Sequence, residues 1–456
     1  MSVRLSAVSR LVSGSLAIGL CTLSLSAFAR KPVPPPPEPP PPPGVTMRVS
    51  VAADGTQGNS SSYYPVMTPD ARFVAFNSAA TNLVANDTNG RTDIFVHDRA
   101  TAGIERVSVA SDGSQANNVS YDAAISDDGR YVTFESYATN LVPGEQHNYT
   151  HVYLHDRVAR TTERISVASD GAPGNAYSDS AAVSADGRYV VFSSYASNLV
   201  AGDSNADMDV FVRDRVTGIV ERVSVAADGT QGNGRSYGKH ISPDGRYVSY
   251  QSDASNLVAG DTNSDTDVFL YDRLTRTPER ISVGTGGVQP NSYSFGGAMT
   301  PDARWVLFSS NATNLIANDN NYAMDAFVRD RVTGVTETVN LNSAGELAQW
   351  GDSYAESISA DGNVVALKSF ASNLAPTAAD WNGYGDVFVR IRSTGTTEHI
   401  SIAADGTSPN DENGFGTPTV SADGRFVSFD SYASNLVADD TNNLEDVFVR
   451  ERYSSP

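Results

Sequence analysis

Cysteine is all but missing. Cys21 is the only one in 456 residues and lies in an N-terminal apolar stretch, so a mature chain without that stretch has no disulfide and no thiol nucleophile. Histidine is scarce too, with six residues scattered at 97, 147, 151, 155, 240 and 399. No H-E-x-x-H, no G-x-S-x-G and no phosphate-cradling glycine loop occurs. Positive charge is short: 32 Lys and Arg stand against 53 Asp and Glu, a net charge of -21, and loss of Arg4 and Arg10 with a leader would take this to -23. Nucleic acid and anionic membrane surfaces are therefore not expected partners. Carboxylates are plentiful, which leaves a glycan-cleaving acid pair open. A chain of this sign repels itself when compact, and either solvation or bound divalent cations relieves that repulsion.

Residues 1–29 read as an export signal. Arg4 and Arg10 precede an apolar, small-residue stretch from Leu11 that closes on Ala27-Phe28-Ala29. Leu20 before Cys21 does not fit a lipoprotein site, so cleavage after Ala29 is expected, with an uncleaved anchor as the alternative. Residues 30–46 form a proline-rich linker, whose run from Pro32 to Pro43 favours an extended polyproline rod and works as a spacer.

What is abundant is repetition. Asp-Gly-Arg-(Tyr/Phe)-Val and close variants place Arg72, Arg130, Arg188, Arg246 and Arg304 at steps of 58 residues, followed by Asn363 after 59 and Arg425 after 62. Seven copies fill residues 47–456, and units that cannot bury their apolar faces alone must stack on one another. The second copy shows four strand signals: Tyr121–Ser126, Tyr131–Phe134, His151–His155 and Glu163–Val167. The expectation is an all-β seven-bladed propeller with four antiparallel strands per blade. The last copy has only three strands, near 417–420, 426–429 and 447–450, while Met47–Val51 matches the fourth-strand segments Glu105–Val109 and Glu221–Val225. The N-terminal strand should close the last blade. Links between first and second and between third and fourth strands are tight. The other two are long and share one face, the candidate for binding.

Ser-Pro-Asp-Gly-Arg-Tyr-Val at 242–248 and Thr-Pro-Asp-Ala-Arg-Trp-Val at 300–306 resemble the Pro-Asp-Gly turn of TolB-type, WD-like propeller repeats, a resemblance covering residues 47–452. It implies the fold and leaves function open, since that family includes periplasmic binding proteins, protease propellers and some lyases.

Between second and third strands stands D-x-N-x-x-x-D. Its copies are Asp87, Asn89, Asp93; Asp203, Asn205, Asp209; Asp261, Asn263, Asp267; Asp319, Asn321, Asp325; Asp380, Asn382, Asp386; and Asp440, Asn442, Asp446. Oxygen ligands at such spacing suit calcium, most of all in blades three and four, where Asp207 and Asp265 add a carboxylate. The loop also resembles the calcium loops of integrin-like propeller repeats. The competing reading is structural: Asp and Asn cap backbone N–H groups in turns, and the third Asp pairs with a neighbouring arginine.

Blade two departs from the pattern with Glu145, His147 and His151. These suggest either a diverged loop or a zinc-like site, to which His155, ~13 Å further along the strand, cannot contribute alongside His151. Asp54, Asp112, Asp170, Asp228 and Asp405 open Asp-Gly turns in the other long loops. Trp350, Trp381 and Tyr384 stand in or near long loops of the sixth unit, where aromatics either pack or stack on a sugar or a partner. The functional expectation is an exported, monomeric, non-enzymatic propeller with calcium-stiffened loops that binds a protein or glycan partner. A glycan-active lyase or hydrolase is the alternative.

Overall fold

The first two β-branched and aromatic runs of each unit pair as sheet because an Asp-Gly or Pro-Asp turn reverses the chain between them within a few residues. The computed structural model describes residues 44–144, 148–317, 319–374, 383–414 and 416–452. These form seven antiparallel sheets of four strands, an all-β seven-bladed propeller, and no helix occurs among the described residues. The segment expected to be an export signal and nearly all of the proline-rich stretch lie outside the described residues.

Blade one shows the local logic. Its strands are Ser62–Met67, Phe73–Ser78, Asp93–Asp98 and Gly103–Arg106. The first turn is closed by Asp70, whose Oδ1 accepts from Thr68 Oγ1 at 2.6 Å and from Arg72 N at 3.0 Å. In blade two the equivalent turn uses Gly129 at φ 72°, where a Cβ would fall 2.2 Å from the Phe73 ring of the blade before. Glycine is thus required there both by backbone conformation and by the fit between blades.

The repeated arginine has a structural purpose. Arg130 donates through Nε and Nη2 to both oxygens of Asp156 at 2.9 and 2.7 Å, tying the second strand of blade two to the end of its third. Arg72–Asp98, Arg188–Asp214, Arg246–Asp272 and Arg304–Asp330 repeat this. Blade six loses both partners together: Asn363 replaces the arginine, and Ile391 stands opposite Val364 at the end of the third strand.

Apolar faces meet between blades. Ala75, Ile94 and Val96 of blade one pack on Val132, Phe134 and Tyr153 of blade two, and similar clusters recur around the ring. Each cluster needs a neighbour, so the ring must close. Val45–Arg48 pairs with Asp446–Glu451 in the register Val45↔Glu451 to Arg48↔Phe448, completing the four-stranded seventh sheet as expected. The closing strand starts two residues before Met47. The fourth strands end earlier than the sequence suggests; in blade two the strand is Thr161–Arg164, not Glu163–Val167. Val167 N turns back to Ile165 O at 2.7 Å and Val167 bridges to Pro173, so the backbone leaves the ladder to close the Asp-Gly loop.

Candidate functional site

The long links emerge together and are clipped to each other by asparagines. Asn82 Oδ1 accepts from Asn59 N at 2.9 Å, and its Nδ2 donates to Gln57 O at 2.7 Å. Asn140, Asn198, Asn256, Asn314 and Asn435 do the same in their blades. The Ala-(Thr/Ser)-Asn-Leu segments that carry these residues escaped the sequence reading, although their strict recurrence was the available signal. The Asp-Gly loops are held as turns: Asp54, Asp112, Asp170, Asp228 and Asp405 each accept from the backbone N–H two residues on, at 2.9–3.0 Å.

The D-x-N-x-x-x-D segments converge on a buried carboxylate pair. In blade one Asp93 is fully buried, and its Oδ1 accepts from Ser108 Oγ at 2.6 Å. Arg106, thirteen positions on in the fourth strand, places Nη1 3.3 Å from Asp87 Oδ1 and 3.8 Å from Asp93 Oδ2. Gln115 Nε2 donates to the same two oxygens at 2.7 and 3.1 Å. In blades three and four, the pairs expected to be the best calcium loops are spanned in the same way. Arg222 lies 3.5 and 3.3 Å from Asp203 and Asp209, and Arg280 lies 3.3 and 3.2 Å from Asp261 and Asp267. In blade seven Arg48 of the closing strand lies 3.1 and 3.4 Å from Asp440 and Asp446. The asparagines act as turn caps: Asn205 Oδ1 accepts from Asp207 N at 3.0 Å, and Asn263 Oδ1 from Asp265 N at 3.3 Å. A guanidinium therefore stands between the carboxylates of these four blades, the arrangement of the competing structural reading.

Blades five and six differ. In blade five Thr338 takes the arginine position, Asn340 the serine position and Leu347 the glutamine position. Asp319 and Asp325 remain, within hydrogen-bonding reach of each other. Burial, reinforced by Asp319, pushes the Asp325 carboxyl up to about 6. In blade six His399 replaces the arginine and lies 3.4 Å from Asp386; Asp380, Asn382 and Trp381 are outside the described residues. So are Glu145 and His147 of blade two. His151 is buried there, with Nδ1 2.9 Å from Ser166 Oγ, and His155 Nδ1 is 2.8 Å from Thr162 Oγ1.

The long-loop side carries an aromatic concavity between blades five and six. An open cavity of about 480 Å³ is lined by Tyr322, Trp350, Asp352, Tyr354 and Phe370 among others. Trp350 and Tyr322 are 89% and 91% exposed, and both hold left-handed backbones at φ 65° and 55°. A second cavity of about 300 Å³ shares Tyr354 and adds Tyr293, Phe295 and Glu356. Tyr293, Phe295 and Tyr354 form a continuous stack with centroid separations of 6.1 and 6.0 Å. Asp352, which lines the same cavity, is fixed by accepting from Met324 N at 2.9 Å.

No protein-family model and no curated protein matches this sequence. Among solved structures, the chain is similar to an oligogalacturonate lyase in complex with manganese, at TM-score 0.54 and 10% identity over 89% of this chain and 93% of that one. It is also similar to the β-propeller domain of the Trilobed protease from Pyrococcus furiosus, at TM-score 0.51 and 11% identity over 87% of this chain and 99% of that one. TolB from Acinetobacter baumannii matches at TM-score 0.40 and 15% identity over 74% of this chain, which spans 62% of the length of that protein. At these identities the likeness shows the propeller fold and nothing finer.

Proposed function

We propose that this chain is an exported binding propeller that holds a neutral glycan on its long-loop face, across the aromatic concavity of blades five and six. One observation carries the reading: Trp350 and Tyr322, nearly fully exposed, line a cavity together with Tyr354 and Phe370. Trp350 holds a left-handed backbone that the other blades do not repeat at its position among the described residues, unlike that of Tyr322, which Ala206, Ser264 and Asn443 share as a turn conformation. Burying such rings would be the cheaper arrangement for stability alone, and left-handed backbone at a bulky residue is a form of strain that clusters at functional sites. Ring faces suit the C–H faces of a sugar, and the Asp352 carboxylate in the cavity wall accepts from hydroxyls. The net charge of -21 favours a neutral over an acidic saccharide. Export rests on the leader pattern of residues 1–29.

Titration calorimetry of the full chain against neutral oligosaccharides tests this. Binding is expected, and Trp350→Ala should weaken it about tenfold or more. Binding of a protein partner alone, or no dependence on Trp350, overturns it. Release of reducing ends or unsaturated products, lost on replacing Glu145 or His147, would support the lyase or hydrolase reading instead.

A further inference from the structure

The carboxylate pair in blade five stands in the place where four sister blades hold a positive charge, and it has lost every partner that supplies or supports that charge. In blades one, three, four and seven the arginine meets the same two atoms, Oδ1 of the first aspartate and Oδ2 of the last. In blade five these two atoms, Asp319 Oδ1 and Asp325 Oδ2, are buried and accept from no donor group among the described residues, each carboxylate having the other within reach instead. Asp325 is fully buried, and its other oxygen is taken up by Asn321 Nδ2 at 2.9 Å and Asn340 Nδ2 at 2.5 Å, which aims Oδ2 at Asp319. Substitution of arginine by Thr338 and of glutamine by Leu347 removes a guanidinium and an amide from the slot.

Two buried carboxylate oxygens facing one another without a counter-charge cost several kcal/mol unless a cation or a proton intervenes. We infer that Asp319 and Asp325 form a site for a hard divalent cation, magnesium or calcium, which replaces the missing arginine. Two carboxylates with the rest of the shell supplied by water is a donor set that such ions accept. The cation joins the loop at Asp319 to the third strand, as Arg106 joins Asp87 to Asp93. Because Asn321 also lines the aromatic cavity, the ion would hold one wall of that cavity in place.

The test is thermal unfolding and calorimetric titration of the full chain, stripped with EDTA, against magnesium chloride and calcium chloride at constant ionic strength. Either salt is expected to raise the melting temperature through one saturable site. Asp319→Asn should abolish that response, and so should Thr338→Arg, which rebuilds the sister arrangement and raises the metal-free melting temperature. An unresponsive wild-type protein overturns the inference. So does a response that survives both substitutions, or stabilisation by millimolar guanidinium with none by either metal. Glycan binding is measured separately with Trp350→Ala, which leaves the carboxylates intact, so failure of one reading is distinguishable from failure of the other.

Discussion

Arg215 of blade three pairs with Glu163 of blade two at 2.7 Å while its guanidinium lies 4.8 Å from the Tyr131 ring centroid. Arg273–Glu221 and Arg331–Glu279 repeat the contact, at 2.6 and 2.8 Å. The closing seam lacks it. Met47 occupies on the N-terminal strand the register that Glu105 holds in blade one, opposite Val449 as Glu105 is opposite Val96. Arg99 across the seam stacks on Phe426 at 4.4 Å and donates to Ala71 O at 2.6 Å.

Met47→Glu should therefore strengthen the seam. Met47 is 43% exposed, so little apolar burial is lost, and a half-exposed ion pair contributes roughly 0.5–1 kcal/mol. Denaturant unfolding at low and high salt checks this. The expected gain at low salt should shrink at high salt, since exposed charges are screened.

An acidic cluster between blades two and three sets a pH dependence. Glu135 Oε1 accepts from Ser180 N at 2.6 Å, and burial, then Asp122 and Asp179, raises its pKa well above the usual range. Burial, with Asp122 also contributing, pushes Asp179 up to about 6. An acid whose folded pKa exceeds its unfolded value binds more protons when native, so stability falls as pH rises from 3.8 to about 6. Arg130 and its sisters act in the opposite sense at lower pH, because the guanidinium holds Asp156 down to about 2. Melting curves from pH 4 to 7 should show the decline. Glu135→Gln, which keeps the acceptor for Ser180 N, should flatten it and stabilise the protein at pH 7 by about 1–3 kcal/mol.

The ring and its closure were legible because the 58-residue step and the unmatched strand at Met47 are properties of spacing alone. The chemistry of the loops was not. Asp203, Asn205 and Asp209 have the same spacing whether the charge between them is a metal or a guanidinium, and the residue whose guanidinium lies near both carboxylates, Arg222, sits in another strand. Strand ends were misjudged at Ile165–Val167 because β-branched residues there serve a backbone that has already left the sheet. Trp350 could be singled out as an exposed aromatic, but its left-handed backbone could not.

That backbone gives a stability–function prediction. Trp350 is 89% exposed at φ 65°, so its replacement by glycine loses little packing and relieves roughly 1 kcal/mol of strain. Trp350→Gly should unfold at higher denaturant than wild type while losing glycan binding. A gain in stability with full retention of binding would remove Trp350 from the site.

Arg222→Met turns the blade-five argument round. Methionine retains much of the apolar stem, but Asp203 and Asp209 lose their counter-charge and keep only neutral donors, the Gln231 amide at 2.9 and 2.7 Å and Ser224 Oγ at 2.6 Å from Asp209. Removing one side of a buried ion pair costs about 3–5 kcal/mol, most of it from the stranded charge. The variant should melt well below wild type in EDTA. Because the vacated atoms, Asp203 Oδ1 and Asp209 Oδ2, correspond to those left bare in blade five, magnesium or calcium should restore part of the loss. Asp203→Asn on top of Arg222→Met should recover stability without metal, since one neutral amide removes the repulsion that the cation would otherwise have to offset. Melting temperatures of the two variants with and without metal separate a cation slot from a simple packing defect, because a packing defect would respond neither to the ion nor to the second substitution.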